Sequence, residues 1–242
     1  MQRSGVRPQT AMELFQYLKN LPRLEIVGIY SHFATADCPD DSFTKEQIKI
    51  FDELTTRLAS SGSIIRHIAN SGGTLFFPDS RLDMVRPALA TFGYLPQAAP
   101  KSLQQIRPCF SLKSQVSYSK IVEKGQGVSY GHTYNTIART RIVTIPIGYG
   151  DGFRRSLSNK GSVLIRGKRF PIVGAICMDQ LMVDVGNHEA YVGDEVVLIG
   201  KQGSEEIRLE EVSRLAGTIP YEILCSFNNR IPRVYIDNPR LP

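Results

Sequence analysis

The chain has 242 residues, of which 42% are hydrophobic and 21% charged, a composition typical of globular protein and sufficient for one large domain or two smaller ones. Its formal net charge of +6 comes from 29 Lys and Arg scattered among 23 Asp and Glu, which disfavours a nucleic-acid partner. The apolar runs are too short to cross a bilayer, no signal peptide is visible, and the four separated cysteines fit reduced thiols, so we expect a cytoplasmic protein without a membrane partner.

The first part of the chain alternates helices with strands. Its apolar periodicity predicts helices at residues 8–20 and 42–60, and strands at residues 24–32, 64–68 and 82–85. Strand, helix and strand in succession indicate a parallel sheet. The chain starts with a polar loop that leads straight into the first helix, with no preceding strand to pack it.

Between residues 96 and 108 the pattern changes, after a stretch rich in Pro, Gln and Ala that is typical of a linker. Short alternating strands follow, with Gly and Asp turns between them, at residues 111–122, 137–146, 162–173, 181–185 and 195–199. They predict an antiparallel sheet or barrel with one late helix at residues 209–216. We therefore expect an α/β domain over residues 1–105 and a mostly β domain over residues 106–242.

Three polar positions follow the predicted strands of the first domain. His32 closes the first strand, Asn70-Ser71-Gly72-Gly73 follows the second, and Arg86 ends the third. Because the carboxyl ends of parallel strands meet at one edge of a sheet, these groups could form a ligand site in which Ser71 and backbone N–H groups hold a phosphate. Each position also has a plainer interpretation: a buried histidine bonded to a carbonyl, a simple turn, and a structural salt bridge.

Two tyrosines of the second domain lie between glycines, Tyr130 in residues 127–132 and Tyr149 in residues 147–152. Both segments could be hairpin turns. Residues 176–180 and 218–222 add polar and aromatic groups outside any clear periodicity, although a methionine in a turn, such as Met178, is most often core packing. Composition alone leaves these alternatives open.

Taken in this order, the segments resemble the alanine racemase family. The similarity runs from Met1 to about Tyr235, and so many ordered matches are not expected by chance. Its most specific pieces are Met1-Gln2-Arg3-Ser4-Gly5, Ser31-His32-Phe33-Ala34-Thr35-Ala36-Asp37, Asn70-Ser71, Met84-Val85-Arg86-Pro87, Val128-Ser129-Tyr130-Gly131, Gly148-Tyr149-Gly150-Asp151-Gly152, Cys177-Met178-Asp179-Gln180 and Asn229-Arg230-Ile231-Pro232-Arg233.

The resemblance implies an incomplete (β/α)8 barrel, with its later strands only, that binds pyridoxal 5′-phosphate and is followed by the mostly β domain. It also implies a head-to-tail homodimer with two shared active sites and no metal. In each site Tyr130 would come from the partner chain as a catalytic base, Arg86 would face the pyridine nitrogen, and His32 would support Arg86. The other implied contacts are, for the phosphate, Ser71, Tyr221 and the backbone near Ala88 and Leu89; for the substrate, Arg3 and the backbone at Met178; and for the entrance, Tyr149, Tyr221, Asp37, Arg155 and Ile219.

The implied activity is the interconversion of L-alanine and D-alanine through a pyridoxal phosphate imine, which supplies D-alanine for peptidoglycan. Racemisation removes a proton from one face of Cα and returns one to the other, so it needs two opposed bases. The pKa of a free tyrosine is about 10, so Tyr130 would need cationic or hydrogen-bonding neighbours to act as a base at neutral pH. Arg86 is not a practical proton donor, so it would leave the pyridine nitrogen unprotonated and limit side reactions.

The chain departs from the family pattern at three places. No lysine in residues 1–242 matches the motif of the family's cofactor lysine, which is the second base. We therefore expect a truncated chain that is inactive alone and poorly soluble, because an incomplete barrel has unpaired edges. Ala88 stands where many members have glycine, and Ala175 stands where many have arginine.

Three other functions are compatible with parts of the sequence. A noncatalytic pyridoxal-phosphate-binding protein of the same barrel type would lack the β domain expected here. An amino acid decarboxylase with this barrel-plus-β layout would place a carboxylate, rather than Arg86, against the pyridine nitrogen. A basic nucleic-acid-binding protein would show aromatic and basic residues interleaved or a known binding module, and the sequence has neither.

Overall fold

The computed structural model describes residues 1–59, 64–96, 98–103 and 105–236. The chain forms two compact units, Met1–Cys109 and Phe110–Pro242. The placement of the domain boundary at residues 105 and 106 stays a prediction. In the described ranges, no helix combines the length and the apolar character that crossing a membrane requires.

The first unit consists of helices around a short parallel sheet. Its elements are α1 (Pro8–Lys19), β1 (Gly28–Tyr30), α2 (Ser42–Ala59), β2 (Ile65–His67), α3 (Ser71–Phe76) and α4 (Ala88–Thr91), with 3₁₀ turns at Pro78–Ser80 and Lys101–Leu103. Strand β1 pairs with β2 in parallel, with Gly28 opposite Ile65 and Tyr30 opposite His67. The β1–α2–β2 arrangement confirms the predicted parallel α/β pattern.

An apolar cluster lies in the part of this unit that the structure describes. It consists of Phe33, Ala36, Phe51, Ile68 and Phe77, all buried, with the partly buried Ile29, Ile48, Phe76 and Leu82 packed against it. Burying each large side chain of this kind contributes about 1.5–3 kcal/mol. Because Ile68 directly follows β2 and Phe33 comes three residues after β1, the cluster also fixes the backbone at the carboxyl ends of both strands.

The predicted third strand at residues 82–85 is wrong as a regular strand. The segment still runs beside β2, since the backbone N–H of Asp83 donates to the Arg66 carbonyl (3.1 Å) and that of Arg86 donates to the Ala69 carbonyl (2.9 Å). The N–H of Arg66, however, donates to the side chain of Asp83 at 2.8 Å. The Asp83 carboxylate thus takes a donor that a regular ladder would give to a backbone carbonyl.

The other predicted elements of this unit are confirmed with shorter bounds. The helix expected at residues 8–20 is α1, and the one expected at residues 42–60 is α2, with Ser60 outside the described residues. The strands expected at residues 24–32 and 64–68 contain three paired residues each. Helices α3 and α4 are short, and the sequence pattern does not define them.

The second unit is dominated by antiparallel strands. Eight of them form one sheet in the order β12-β11-β8-β9-β10-β7-β4, with β3 paired to β11, and β5 pairs with β6 in a separate hairpin. Its elements are β3 (Leu112–Gln115), β4 (Tyr118–Val122), β5 (Gly127–Val128), β6 (Tyr134–Asn135), β7 (Thr140–Ile145), β8 (Ser162–Ile165), β9 (Lys168–Val173), β10 (Leu181–Gly186), β11 (Glu195–Gln202), β12 (Glu205–Ile207), α5 (Leu209–Ala216) and α6 (Pro220–Ser226).

The sheet buries an alternating set of apolar side chains. In β10, Leu181, Val183 and Val185 are buried, while the residues between them are half-buried. A period of two is expected for strands that cover a core with one face. The alternation confirms the antiparallel sheet predicted for this part of the chain.

Two of the predicted β segments are divided in the structure. Residues 111–122 become β3 and β4, which pair with different strands, and residues 162–173 become the β8–β9 hairpin. The hairpin turn is Arg166-Gly167, where both residues have positive φ, as a two-residue type I′ loop requires. Helix α5 confirms the helix predicted at residues 209–216, whereas the sequence pattern does not predict α6.

Candidate active site

Arg86 lies at the centre of a group of aromatic and imidazole rings in the first unit. Its Nη2 donates to the Ser31 carbonyl at 2.9 Å and lies 3.2 Å from His32 Nδ1, while its Nη1 lies 2.5 Å from His67 Nδ1. The guanidinium carbon is 5.4 Å from the centre of the Tyr30 ring, which stacks on His67. The side chain is therefore held in one orientation at the carboxyl ends of β1 and β2.

These contacts determine the protonation of both histidines. A guanidinium only donates hydrogen bonds, so the Nδ1 atoms of His32 and His67 accept, and each ring carries its proton on Nε2. Burial, followed by the charge of Arg86, lowers the pKa of both imidazoles, and the charge of Arg3 contributes at His32. Burial also lowers the pKa of Arg86, which nevertheless stays cationic at neutral pH. The group thus carries one positive charge beside two neutral imidazoles.

His32 and Arg86 are thus brought together as the sequence predicts, and neither plain alternative accounts for them. Among the described residues, no carboxylate forms a salt bridge with Arg86, and only the Tyr30 phenol opposes the effect of burial on its pKa. The sequence reasoning missed His67. In the parallel pairing of β1 and β2, His67 lies opposite Tyr30, and Tyr30 precedes His32 by two residues. The register of the two strands is therefore the signal that could have identified His67.

Ser71 connects the starts of two short helices. Its hydroxyl donates to the Pro87 carbonyl at 2.8 Å and accepts from the Ala90 N–H at 3.3 Å, so the starts of α3 and α4 are tied together. Pro87 caps α4 without a side-chain hydrogen bond, and the first N–H groups of a helix, here those of Ala88 and Leu89, have no partner inside it. Hydroxyl and backbone N–H groups of this kind can hold a phosphate.

The glycines after Ser71 have a packing role. A Cβ at Gly72 would lie 2.2 Å from the Ala36 carbonyl oxygen, and one at Gly73 would lie 2.7 Å from the Phe33 ring. Asn70 caps α3 by accepting the Gly73 N–H at 2.9 Å. Residues 71–73 thus form the first turn of α3, so the interpretation of this segment as a simple turn is wrong. Close packing explains the glycines, and the role of Ser71 stays a prediction. Two other predicted site residues of this unit, Arg3 and Asp37, are exposed to solvent.

Tyr130 lies at the tip of the β5–β6 hairpin in the second unit and is 74% exposed. The hairpin interpretation of residues 127–132 is confirmed, and it is compatible with a functional tyrosine. The ring is not packed inside the sheet, and it lines a cavity of about 520 Å³ together with Lys120, His132 and Cys177. Pockets of roughly 300–1,000 Å³ are typical for small ligands.

The hairpin interpretation of residues 147–152 is wrong, because β7 and β8 on either side of the segment are not paired. Instead, a 3₁₀ turn at Tyr149–Asp151 packs against the turn that contains Met178. The N–H groups of Tyr149 and Gly150 donate to the carbonyls of Cys177 (3.0 Å) and Met178 (2.8 Å). A Cβ at Gly148 would lie 2.2 Å from the Cys177 oxygen, so glycine is required by this close approach.

Arg230 joins the same two turns through its side chain. Its Nη2 donates to Asp179 at 2.5 Å, and its Nε lies 3.4 Å from Asp151 Oδ1. A Cβ at Gly150 would lie 2.5 Å from Arg230 Nη1. The structure therefore brings together Tyr149, predicted for the entrance, and Met178, predicted to contact the substrate. The sequence reasoning quoted Arg230 as part of a motif but did not predict that it joins these two turns.

The remaining predicted site residues are on the surface of the second unit. Tyr149 and Arg155 line a second cavity, of about 570 Å³, together with Arg154 and Asn228. Ile219 is the residue before α6 and Tyr221 lies in its first turn, and their exposed fractions are 60% and 40%. Their roles at the phosphate and the entrance stay predictions.

Comparison with known proteins identifies the family. Two family models match, alanine racemase, N-terminal domain, over residues 1–96 and alanine racemase, C-terminal domain, over residues 109–235. The chain belongs to the alanine racemase family. The alanine racemase of Symbiobacterium thermophilum is 42% identical over 238 residues, which cover 97% of this chain and 63% of that protein. The chain thus spans less than two thirds of the length of this relative.

Solved alanine racemase structures have the same fold. The Bacillus anthracis structure with bound L-Ala-P matches with a TM-score of 0.89 at 38% identity, over 98% of this chain and 62% of that chain. The Bartonella henselae structure with covalently bound pyridoxal phosphate matches with a TM-score of 0.83 at 33% identity, over 98% of this chain and 64% of that chain. These matches confirm the predicted fold class, an incomplete (β/α)8 barrel followed by a mostly antiparallel β domain.

Proposed function

We propose that this chain acts in an alanine racemase that interconverts L-alanine and D-alanine with pyridoxal 5′-phosphate as cofactor and so supplies D-alanine for peptidoglycan. The observation that carries the proposal is the orientation of Arg86, which His32, His67 and the Ser31 carbonyl hold at the strand ends. A fixed guanidinium at this place favours a racemase over the decarboxylase alternative, for which a carboxylate is expected.

The residues of the first unit fit the proposed cofactor chemically. Ser71 and the starts of α3 and α4 offer hydroxyl and N–H donors suited to a phosphate, and Arg86 offers a donor suited to a ring nitrogen. The family relative from Bartonella henselae holds pyridoxal phosphate covalently. We place Tyr221 and the backbone of Ala88 and Leu89 at the same phosphate, and Arg3 at the substrate carboxylate.

When bound, pyridoxal phosphate makes the Cα proton of the amino acid acidic. Arg86 keeps its protons at neutral pH, so it would hold the ring nitrogen by hydrogen bonding and would not protonate it. His32, neutral and fixed by Arg86, keeps an Nε2–H available as a donor toward a neighbouring phenolate.

Tyr130 is the proposed base on one face of the substrate. Its Oη would remove or return the Cα proton, and its exposure at the hairpin tip is what a residue donated to a partner subunit requires. We propose a homodimer in which each site combines Arg86 of one protomer with Tyr130 and the Met178 backbone of the other. Tyr149, Tyr221, Asp37, Arg155 and Ile219 would line the entrance. The second base is assigned to the family's cofactor lysine, which no lysine in residues 1–242 matches.

The racemase activity is tested with a fusion protein. Residues 1–242 are placed behind the part of the Symbiobacterium thermophilum racemase that precedes the matched region, and the conversion of L-alanine to D-alanine is followed in deuterium oxide with pyridoxal phosphate. We expect racemisation with deuterium at Cα, and Tyr130→Phe should lower kcat by about 10²–10⁴-fold when a general base is lost. Tyr191→Phe, another exposed tyrosine of the same unit, is the control. Release of CO₂ without D-alanine would favour the decarboxylase instead.

Mixed dimers test the shared site. Tyr130→Phe and Arg86→Glu fusions are each expected to be inactive alone. When the two are unfolded and refolded together, one site of each heterodimer is free of both changes, so about a quarter of the wild-type activity should return. No recovery in a mixture shown to contain heterodimers would contradict the assignment of Tyr130 to the partner.

Borohydride reduction tests the assignment of the lysine. With pyridoxal phosphate, the 242-residue chain should give no specific covalent adduct, whereas the fusion should be labelled at one lysine of the added segment. Specific labelling of a lysine within residues 1–242 would contradict this assignment.

A further inference from the structure

The loop that carries Tyr130 has an unusual backbone. Ser129 (φ 64°), Gly131 (φ 70°) and His132 (φ 46°) all lie in the left-handed region, which is uncommon for residues with a side chain. Tyr130 itself is largely exposed, so packing does not fix its ring. Such a conformation persists only when the surrounding structure holds it, and residues of this kind are frequent at functional sites.

One tie holds the start of the loop. The Ser129 hydroxyl donates to the Ala175 carbonyl at 2.6 Å. Next to this bond, the backbone of Gly174 packs closely against the hairpin, because a Cβ at Gly174 would lie only 2.6 Å from the Val128 carbonyl oxygen. The segment 174–175, which leads to Met178, therefore sets the position of the residue before Tyr130.

A second tie holds the end of the loop. The Asn159 Nδ2 donates to the Thr133 hydroxyl at 3.1 Å, and the Asn159 Oδ1 accepts the Gly174 N–H at 2.6 Å. One amide group thus bridges the loop end to the segment that anchors the loop start. Asn159 has φ 58°, a conformation that asparagine tolerates better than most residues with a side chain.

The neighbouring serine keeps this bridge in place. The Ser158 hydroxyl accepts the Ile176 N–H at 2.9 Å and donates to the Arg155 carbonyl at 2.5 Å. Residues 158 and 159 therefore bind residues 174–176 through two hydrogen bonds, one to the Gly174 N–H and one to the Ile176 N–H. Arg155, which is assigned to the entrance, is part of the same arrangement.

We infer that Ser129 and Asn159 are positioning residues that fix both ends of the Tyr130 loop to residues 174–176 and thereby set the direction of the Tyr130 phenol. The inference rests on the proposed function for the role of Tyr130, but the two ties are properties of the chain itself. A phenol that must approach one face of Cα needs a defined direction, because small misplacements of a reacting group are costly in rate.

The ties are tested by hydrogen exchange of the 242-residue chain, followed by mass spectrometry of peptides that cover residues 127–136 and 172–178. Asn159→Asp keeps the acceptor for the Gly174 N–H and removes the donor to Thr133; every Asn159→Asp protein also carries Thr133→Val, because the Thr133 hydroxyl would otherwise donate to the new carboxylate. Asn159→Gly removes both and keeps the backbone conformation. Asn187→Asp, at an exposed position in a turn, is the matched control for the first variant, and Ser117→Ala, which also loses a bond to a carbonyl, is the control for Ser129→Ala.

The expected result is selective. Asn159→Asp and Ser129→Ala should each raise exchange in residues 127–136 by about three- to tenfold, the range expected for the loss of one hydrogen bond. In residues 172–178, hydrogen exchange should be as slow in Asn159→Asp as in the unsubstituted chain and should become faster in Asn159→Gly. Exchange in the loop no faster than in the two controls would overturn the inference. Thr133→Val alone removes the hydroxyl acceptor and leaves the 3.5 Å contact to the Thr133 carbonyl, so it should raise exchange in the same residues by a smaller factor.

Kinetics of the fusion protein connect the ties to catalysis. Asn159→Asp and Ser129→Ala should lower kcat by about tenfold with KM changed less than twofold, because the phenol is misdirected while substrate binding is kept. Unchanged kcat in variants with faster loop exchange would overturn the positioning role. If the unmodified fusion does not racemise alanine, the proposed function fails while the exchange experiment still decides whether the ties exist.

Discussion

Tyr134 and Asp184 join the hairpin of the candidate base to the large sheet. The Tyr134 hydroxyl, in β6, donates to Asp184 Oδ2 in β10 at 2.7 Å. The other carboxylate oxygen of Asp184 accepts from the Thr140 hydroxyl and from the Gly186 N–H. Since β5 and β6 form their own two-stranded sheet, this hydrogen bond is one of the side-chain contacts that attach them to the unit.

Tyr134→Phe should reduce the free energy of unfolding by about 0.5–1.5 kcal/mol, the contribution of one hydrogen bond. Burial and the bond to Asp184 raise the pKa of Tyr134 from 10.0 to about 12. A group whose pKa is higher in the folded than in the unfolded chain stabilises the fold at pH values below its unfolded pKa. The contribution of Tyr134 should therefore persist to about pH 10 and disappear as the pH rises toward 12. Urea denaturation of both proteins at pH 7 and pH 10.5 measures the difference, with Tyr191→Phe as control. Equal stability at pH 7 would contradict the prediction.

The histidines beside Arg86 should make the fold sensitive to mild acid. The pKa values of His32 and His67 are lowered from 6.5, so below that pH the unfolded chain binds protons that the native chain does not. The free energy of unfolding should therefore be constant above about pH 7 and fall as the pH drops below 6.5. Because both rings are half-buried, the slope should be less than about 1.4 kcal/mol per pH unit for each.

His67→Gln keeps a hydrogen-bond acceptor near Arg86 and cannot be protonated in this range. Its stability should fall less steeply between pH 6.5 and 5 than that of the unsubstituted chain, as measured by urea denaturation at intervals of half a pH unit. A slope identical to that of the unsubstituted chain would show that His67 does not contribute.

Glycine at position 152 should be much harder to replace than glycine at position 193. Both have similar left-handed backbones, with φ 99° and φ 94°, but a Cβ at Gly152 would lie 2.1 Å from the Ser226 oxygen, while nothing lies within 4 Å of one at Gly193. Gly193→Ala should cost about 1–2 kcal/mol for the backbone alone. Gly152→Ala should cost at least about 1–3 kcal/mol more, from overpacking. Thermal denaturation compares the two, and equal midpoints would mean that the backbone of residues 226–227 adapts freely.

Arg230→Gln should loosen the turn that carries Tyr149. The change removes the charge that bridges Asp151 and Asp179, and Asp151 is buried, so we expect a lower free energy of unfolding. The exposed pair of Arg139 and Glu123 provides the control, because Arg139→Gln should cost less than about 0.5 kcal/mol. Urea denaturation measures both, and limited proteolysis should cut the Arg230→Gln variant first within residues 148–155.

Local patterns in the sequence were sufficient for elements whose structure depends on their own residues. Helices α1 and α5 match their predicted bounds within one residue, because apolar spacing and end signals such as Pro8 and Gly217 are local. The hairpin at Arg166-Gly167 and the irregular segment at Asp83 were missed. The segment at Asp83 depends on the bond from Arg66, a contact between residues distant in sequence. The hairpin turn pairs Ile165 with Lys168, so it is local, and Gly167 is the signal that could have identified it.

The candidate site divides in the same way. His32, Ser71, Arg86, Tyr130 and Tyr149 stand out in the sequence because each follows a strand or lies between glycines, and the structure places them on turns and strand ends. His67 and Asn159 do not stand out, and Arg230 stands out only as part of the motif at residues 229–233, since the partners of these residues are 15 to 79 residues away in sequence. Such residues become visible only when the register of the strands or the packing of the turns is known.

The turn at Tyr149–Asp151 cannot be treated as an exchangeable loop. Each of its three glycines touches a different part of the chain: Gly148 the carbonyl of Cys177, Gly150 the side chain of Arg230, and Gly152 the carbonyl of Ser226. Transplanting residues 147–153 into another scaffold would therefore require residues 177–179 and 226–230 to be transplanted with it. During evolution, the three stretches should change as one block, and homologues with a different residue at position 230 should also carry compensating changes at positions 150 and 179.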